Sequence, residues 1–569
     1  MWWLYLLCLF PLGLTAQFSE AATEWGMTGS QWARGVSVCD YDADGWPDVY
    51  LSVLNGPNRL YRNRAGSGFE EVASGAPLAV AGNSMVSLWA DFDNDGLPEV
   101  LVGNKDTPSR LYRQSDQQFI DITAGSGIAL TAKVQAGSVL DVDQDGLLDI
   151  YLACLNGPNR LYRNLGQLRF EEVSTVIANP GCSAVDVAGL AMGTLAFDYD
   201  LDGDQDLYLV HDGKQPNVLL RNEGGCFTDV SVASGTGVVG DGMGVDAADY
   251  DHDGDFDLYI TNLYENFLLE NLGNGTFREV GFDASVNDLG MGWGTAWLDY
   301  DSDGHPDLYV ANETGFTVGG RQYNNLLYYN NGMGAFIPAA PPSAAINSDR
   351  SSYGAATADF DGDGRPDLVL ANNAQPTELF INQTPSGSYL QLDLVGTSGN
   401  REAIGSRVQL YTAQRRQTAE VRAGGSFASQ HGRTLHFGLG AVDRIDSVVV
   451  YWPQGARTTY TNLVINRRYQ IVEGEAPTET NLAVLTTPTN RPEVLPLGVY
   501  PNPSQGQVYF GRPVEGLRLY DALGRQLIRI DQATDRLKLP PQLPPGAYRL
   551  TGWIAGQHHA TTLLVDRRL

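Results

Sequence analysis

Seven nine-residue stretches set carboxylates at alternate positions around a glycine, in the pattern Asp-x-Asp-x-Asp-Gly-x-x-Asp or Glu. The acids are Asp40, Asp42, Asp44 and Asp48 in the first, Asp91, Asp93, Asp95 and Glu99 in the second, and Asp141, Asp143, Asp145 and Asp149 in the third. Asp198, Asp200, Asp202 and Asp206 form the fourth set, and Asp249, Asp251, Asp253 and Asp257 the fifth. Asp299, Asp301, Asp303 and Asp307 form the sixth, and Asp359, Asp361, Asp363 and Asp367 the seventh. Carboxylates at alternate positions can aim at one centre when the chain curls, and glycine at the sixth position permits the sharp turn. Four carboxylates so close repel one another unless a cation sits among them. Oxygen donors at every patterned position suit a hard ion with six to eight ligands, so up to seven calcium ions are expected, with magnesium the weaker candidate.

The pattern shares its first half with an EF-hand but not its second. An EF-hand carries Glu at the twelfth position; here that position is Leu51, Val102, Leu152, Leu209, Ile260, Val310 or Leu370. The last acid comes at the ninth position, and the flanks are β-type. The loops are therefore read as β-hairpin calcium loops. Their four patterned positions hold 28 of the 67 acidic residues, and seven divalent ions would bring the formal charge from −30 to −16. Metal ligation thus explains much of the acidity, and so acidic a surface repels nucleic acid and anionic lipid.

Short strands must position these loops. Successive loops start 51, 50, 57, 51, 50 and 60 residues apart, a period in the range of propeller blades. A glycine-containing segment leads into each loop (GVSVCDYD, GTAWLDYD), and an apolar strand follows at once (DVYLSV, DIYLAC, DLYIT). A second strand follows, such as PNRLYRN from Pro57 and again from Pro158. A third starts from Phe69, Phe119, Phe170, Phe227 or Phe277. The period-two alternation reads as about four strands per unit. FSEAATEWG, from Phe18, resembles the end-of-blade strand, whereas none follows ELFIN at Glu378. The N-terminal strand is thus expected to complete the last blade and remove the free edges; a linear solenoid is the alternative.

The repeats resemble the FG-GAP/VCBS type of integrin α-subunit propellers and bacterial surface proteins, over roughly residues 18–385. The resemblance implies calcium in the loop joining two strands of a blade. GLAMGTLAFDYD, GMGVDAADYD and GMGWGTAWLDYD are similar, more narrowly, to cartilage-acidic-protein relatives. After the loops stop, GNREAIGSRVQLY, GGSFASQHGRTLHFGLG and VVVYWPQG resemble the ASPIC/UnbV domain. The final stretch, LGVYPNPSQGQVYF through LPPGAYRLTGW to TTLLVDRRL, resembles a type IX secretion C-terminal sorting domain. That resemblance implies export across the outer membrane and attachment to the cell surface.

The expected organisation is all-β: a signal peptide over 1–16, a seven-bladed β-propeller over 17–385 and an ASPIC/UnbV-like β domain over 386–474. A Thr-, Pro- and Asn-rich linker over 475–497 and a β-sandwich sorting domain over 498–569 follow. The short apolar run ending at Ala16 reads as a cleaved secretory signal, and no later stretch is apolar enough to cross a membrane. In an exported chain Cys39, Cys154, Cys182 and Cys226 permit disulfides, with Cys182–Cys226 the pair to test first; four small buried cysteines are the alternative.

No HExxH, GxSxG or P-loop occurs, so no catalytic set is assigned. His211 with Asp212 is the one pair worth mutating, and His431 and His436 read as structural. The leading expectation is a secreted or cell-surface module that binds an extracellular glycan or protein. A polysaccharide- or phosphoester-active enzyme on a propeller scaffold, and a structural surface-layer component, are the alternatives.

Overall fold

The computed structural model describes residues 16–72, 77–79, 82–115, 118–175 and 182–480. In the tail it describes 495–496, 499–500, 507–520, 526–530, 532–540, 542–544, 546–554 and 557–565. The expected signal segment before Ala16 and most of the expected linker lie outside the described residues. The chain divides into two compact units, Met1–Leu485 and Thr486–Leu569.

In the first repeat Ser30–Cys39 runs into the acidic loop, and Asp48–Val53 returns beside it. Arg59–Asn63 and Phe69–Glu71 follow, each antiparallel to the strand before. The same path recurs at the other loops. The strand after each loop begins at the ninth-position acid, as in Asp149–Pro158 and Asp257–Asn262, and its first six residues are all buried. Neighbouring sheets cover both faces, so this strand reads as a continuous apolar run rather than an alternating one. Its buried tyrosines each find an acceptor in the connection that leads to the next repeat. Tyr50 donates to the Leu78 carbonyl (3.0 Å), Tyr151 to Val185 (2.8 Å) and Tyr259 to Val286 (2.7 Å). An unmet hydroxyl there would cost stability.

The Phe-led outer strands lie where the pattern places them, and the sixth repeat adds Phe336–Pro338, whose FIP sequence hides the alternation. The seventh repeat takes its outer strand from the other end of the chain. Phe18–Glu20 pairs with Glu378–Asn382, with Phe18 opposite Asn382. Ser30–Cys39 also pairs with Asp367–Pro376. The loop-entering strands touch one another in sequence order, and Ser352–Ala358 touches Ser30–Cys39. This is a β-propeller.

Residues 388–479 form two four-stranded sheets. In one, Ser388–Val395 lies between Leu435–Gly440 and a parallel Arg467–Val472, with Thr478–Glu479 on the edge. In the other, Arg407–Tyr411 and Ser447–Tyr451 are central. Between the two sheets the chain leaves its own domain. Residues 424–430, GSFASQ after Gly424 included, enter the axis of the propeller and hydrogen-bond to the loop-entering strands. Gln430 carries most of this: its carbonyl accepts from Val38 N (2.9 Å), and its side chain exchanges two hydrogen bonds with the Trp89 backbone, both at 3.1 Å. The Ser426 carbonyl accepts from Val245 N (3.1 Å), and its hydroxyl accepts from Thr295 N (3.1 Å). Phe427 is fully buried, and one apolar core runs from the domain through Phe427 and Ala428 into the propeller.

The glycines before the loops have their reason here. A Cβ on Gly244 would stand 2.4 Å from the Trp293 carbonyl of the next repeat and 3.1 Å from Phe427 N, one on Gly354 2.6 Å from Ser429 Oγ and 3.0 Å from the Arg34 carbonyl, and one on Gly35 would strike the Ala428 carbonyl and stand 2.6 Å from that of Met85. In the tail, the long strand Gln507–Tyr520 pairs with Val499–Tyr500 and Thr534–Lys538 toward its start. Toward its end it pairs with Gln526–Ile530 and Gly546–Ile554.

Candidate metal centres

Each acidic loop is folded by its own backbone amides. In the first, Asp40 accepts from Asp44 N (3.0 Å) and Gly45 N (2.9 Å). Asp48 reaches back to accept from Tyr41 N (3.1 Å) and across to accept from Asn63 N (2.7 Å). The fifth-position acid closes a small turn on the amide two residues on: Asp44 to Trp46 N (2.9 Å), Asp145 to Leu147 N (3.0 Å). Asp40, Asp42 and Asp48 thereby bring one oxygen each within 4.8 Å of the others, as do Asp91, Asp93 and Glu99, Asp141, Asp143 and Asp149, and Asp198, Asp200 and Asp206. In the fifth loop the trio is Asp249, Asp251 and Asp253. Of four patterned acids, the first, third and ninth converge in the first four loops, while the fifth is spent on the turn.

These clusters could hold metal ions. One oxygen in several of them is buried with no hydrogen-bond donor: Oδ1 of Asp42, Asp93, Asp143 and Asp198, Oε1 of Glu99, and Oδ2 of Asp249. A buried acceptor left unmet is costly, and the atoms that converge are all oxygens, the chemistry a hard divalent ion takes; in the second and third loops Arg113 and Arg163 also pair with Asp93 and Asp143. Burial, with the neighbouring carboxylates adding to it, pushes Glu99 up to about 9. Burial likewise lifts Asp48 to about 9 and Asp141 to about 7, and holds Asp149, Asp206 and Asp257 far above the ordinary range. A divalent cation among such groups reverses that pressure.

A residue that the loop pattern does not contain completes the arrangement. The Asn at the end of the following strand donates its amide to the ninth acid and its side chain to the repeat before. Asn164 reaches the Phe92 carbonyl (2.8 Å), Asn222 reaches Val142 (2.9 Å), Asn271 Tyr199 (2.9 Å), Asn330 Tyr250 (2.9 Å) and Asn382 Tyr300 (2.8 Å). Asn63 of the first repeat reaches Phe360 of the seventh (2.9 Å). The recurring RN, EN, YN and IN strand ends carry the signal. The second repeat has Gln114 instead, whose Oε1 is buried without a donor.

The loops also seat the domain that follows. Asn94 Oδ1 accepts from Arg401 N (2.8 Å), the Gln144 carbonyl from Gln454 (3.0 Å) and Glu420 from Gln205 (2.9 Å). Arg416 donates to the Asp253 carbonyl. The Asp301 and Ser302 carbonyls accept from Gly387 N (2.8 Å) and Gly440 N (2.7 Å), and Asp359 accepts from Gln391 (2.9 Å).

The remaining sequence candidates sort by their contacts. His211 is buried, its Nδ1 meets the Pro216 carbonyl at 2.8 Å, and burial holds its pKa below the usual imidazole value. That is a strand-end latch, and Asp212 closes its own turn on Gly213 N. His436 stacks on Tyr389 (centroids 6.1 Å apart), and burial pushes it down to about 4. His431 has a carboxylate partner that the sequence does not place beside it: its Nε2 lies 3.4 Å from Asp246 Oδ2, while its Nδ1 faces Thr357 N at 3.3 Å. Burial pushes the Asp246 carboxyl up, but His431 and Arg422 outweigh it and hold it below the ordinary value. Cys182 and Cys226 form a disulfide; Cys39 and Cys154 are buried and free.

A family model described as FG-GAP-like repeat matches residues 40–102, 198–260 and 316–370, and one described as ASPIC and UnbV matches 396–478. The chain carries FG-GAP-like repeats and an ASPIC and UnbV region. It is 27% identical over 259 residues to cartilage acidic protein 1 of Xenopus tropicalis, covering 42% of this chain and 38% of that one. It is 35% identical over 119 residues to the Mus musculus protein, covering 20% and 18%. The chain thus matches well under half the length of these relatives. Among solved structures, an Agrocybe aegerita lectin that recognises non-reducing terminal N-acetylglucosamine aligns with a TM-score of 0.38 at 18% identity, over 62% of this chain and 94% of that one. A Bacillus licheniformis rhamnogalacturonan lyase aligns with a TM-score of 0.37 at 14% identity, over 69% and 77%. Among the described residues no helix is long and apolar enough to cross a membrane.

Proposed function

We propose that this chain is a secreted or outer-surface binding module built on a closed, seven-bladed propeller that takes up to seven calcium ions. The observation that carries the reading is the recurrence, at one register, of converging carboxylates with a buried oxygen left without a donor. The patterned acids at the first, third, fifth and ninth positions supply the ligands, with the fifth placed to join when the ion binds. Calcium stiffens the hairpins, and because these hairpins seat the following domain, it also fixes that domain on the ring. The Cys182–Cys226 disulfide supports an oxidising exterior. The boundaries that go with this reading are a signal over 1–16, the propeller to 385, the ASPIC/UnbV-like domain to 474, a linker to 497 and a sorting domain over 498–569. The extracellular partner is a glycan or protein.

The test is calcium itself. Equilibrium dialysis of the purified chain should give about seven ions per molecule, and chelation with EDTA should lower the melting temperature by many degrees. A melt indifferent to EDTA, with no calcium retained, would sink the reading. Fusing residues 498–569 to a periplasmic reporter in a type IX-competent host tests the tail: a reporter left in the periplasm refutes a sorting role.

A further inference from the structure

The domain does not lie flat on the ring. Beside the inserted segment it leaves a chamber of about 570 Å³, walled by the inner ends of the propeller strands and by both sheets of the domain. This volume is in the range of small-molecule sites. Ala43 and Arg401, both exposed, stand at its rim.

Three donors in its wall are buried without an acceptor: Arg422 Nη1, His431 Nε2 and the Trp297 indole Nε1. Arg422 Nη1 and His431 Nε2 lean on Asp246 at 3.7 and 3.4 Å, within ion-pair reach but outside hydrogen-bond geometry. Buried donors in this state ask for an oxygen acceptor. Two other arginines are already matched. Arg433 pairs with Glu402 (2.5 Å) and donates to the Trp89 carbonyl (3.1 Å), and Arg468 pairs with Asp393 (2.6 Å).

The charge of the wall narrows the ligand. Four arginines line it: Arg401, Arg422, Arg433 and Arg468. Four carboxylates outside the acidic loops face them: Asp246, Asp393, Glu402 and Glu420. The other lining acids are first-position residues of the loops, whose charge calcium offsets. Outside the loops, therefore, neither an anion nor a cation finds a surplus of opposite charge. Mixed donors and acceptors, balanced charge outside the loops and the partly exposed ring of Trp297 fit a neutral polyhydroxylated molecule with an apolar C–H face.

We infer that the chamber is a binding site for an uncharged sugar unit, with Arg422, His431 and Trp297 donating to its hydroxyl oxygens. This rests on the calcium-loaded module proposed above and names its ligand site.

The test uses the full calcium-saturated chain and a panel of free monosaccharides by saturation-transfer NMR and titration. The panel holds uncharged hexoses and N-acetylhexosamines, with glucuronate and glucosamine as charged counterparts. The expected result is saturable binding of an uncharged sugar, weakened at least ten-fold in both Trp297→Phe and Arg422→Lys, with calcium stoichiometry unchanged. Trp297→Phe keeps an aromatic six-membered ring and removes the N–H together with the fused five-membered ring, so it stays informative where Arg422→Lys unfolds. Three outcomes overturn the inference: no uncharged sugar saturates the chain, a charged counterpart binds more tightly, or both variants bind as the wild type does. A chain that takes up seven calcium ions yet gives any of these loses the chamber and keeps the module. One that takes up no calcium loses the module itself.

Discussion

At the scale of single residues, the acidic loop divides its labour. In the first three loops the first and ninth acids are held by backbone amides, the third is left with an unmet buried oxygen, and the fifth closes a turn; in the fourth and fifth loops the unmet oxygen is on the first acid. Asp143→Ala should therefore remove one site and leave its neighbours, and equilibrium dialysis should show one calcium fewer per chain. The interstrand Asn makes a different prediction. Asn271→Ala strips the Tyr199 carbonyl of its buried partner and should cost about 1–3 kcal/mol in calcium-saturated denaturant melts. His436 supplies a pH dependence. Burial lowers its pKa to about 4, whereas the unfolded value is about 6.5. The neutral ring's contribution is fully present above pH 6.5 and is lost as pH falls toward 4, at up to about 1.4 kcal/mol per pH unit. His436→Gln should flatten that part of the curve relative to the wild type, measured by melting temperature against pH.

At the scale of elements, the inserted segment 424–430 is the part on which both halves of the larger unit depend. Its backbone pairs with strands from several repeats, and Phe427 is the apolar anchor among Trp293, Tyr353 and Met243. Phe427→Ala should cost about 3–5 kcal/mol, the range for emptying a fully buried aromatic site. Gly244→Val overfills the same place from the propeller side, since its side chain runs first into the Trp293 carbonyl and then into the Phe427 amide. It should destabilise by about 1–3 kcal/mol. Both effects are read from denaturant melts, and a neutral result for both would mean that the segment does not hold the axis in solution.

At the scale of the whole unit, ring and domain meet at the acidic loops, so the proposed calcium couples the two. Six of the seven loops hydrogen-bond to the domain through residues of the loop itself. Calcium that binds only the folded loops adds about 1.4 kcal/mol per site for each tenfold rise in its free concentration. With seven sites the dependence should be steep. The propeller and the domain should melt in one transition in calcium, while EDTA should expose the connection near residue 386 to limited proteolysis. Two transitions in saturating calcium would show that the loops do not couple the parts.

The sequence by itself determined what short-range chemistry determines. Nine residues suffice to specify a carboxylate hairpin, so the seven loops, their ninth-position acid and the contrast with an EF-hand were legible without coordinates. The fifty-residue period and the strand alternation implied the propeller, and the missing outer strand after Glu378 implied its completion by Phe18. The Phe336 strand was obscured because FIP sets Ile and Pro where the outer strands from Phe69, Phe170 and Phe277 carry charged residues. Only the tertiary structure decided what occupies the axis. Gly35 and Ala428, Trp89 and Gln430, and Asp246 and His431 meet across hundreds of residues, and no local pattern marks such pairs. The glycines before the loops were visible as a repeated feature, but their cause is the close carbonyl of the next repeat, joined at Gly35, Gly244 and Gly354 by a segment from another domain. The loops opened as isolated ion sites; in the fold they are also the seat of that domain, because the ring turns all seven toward one end.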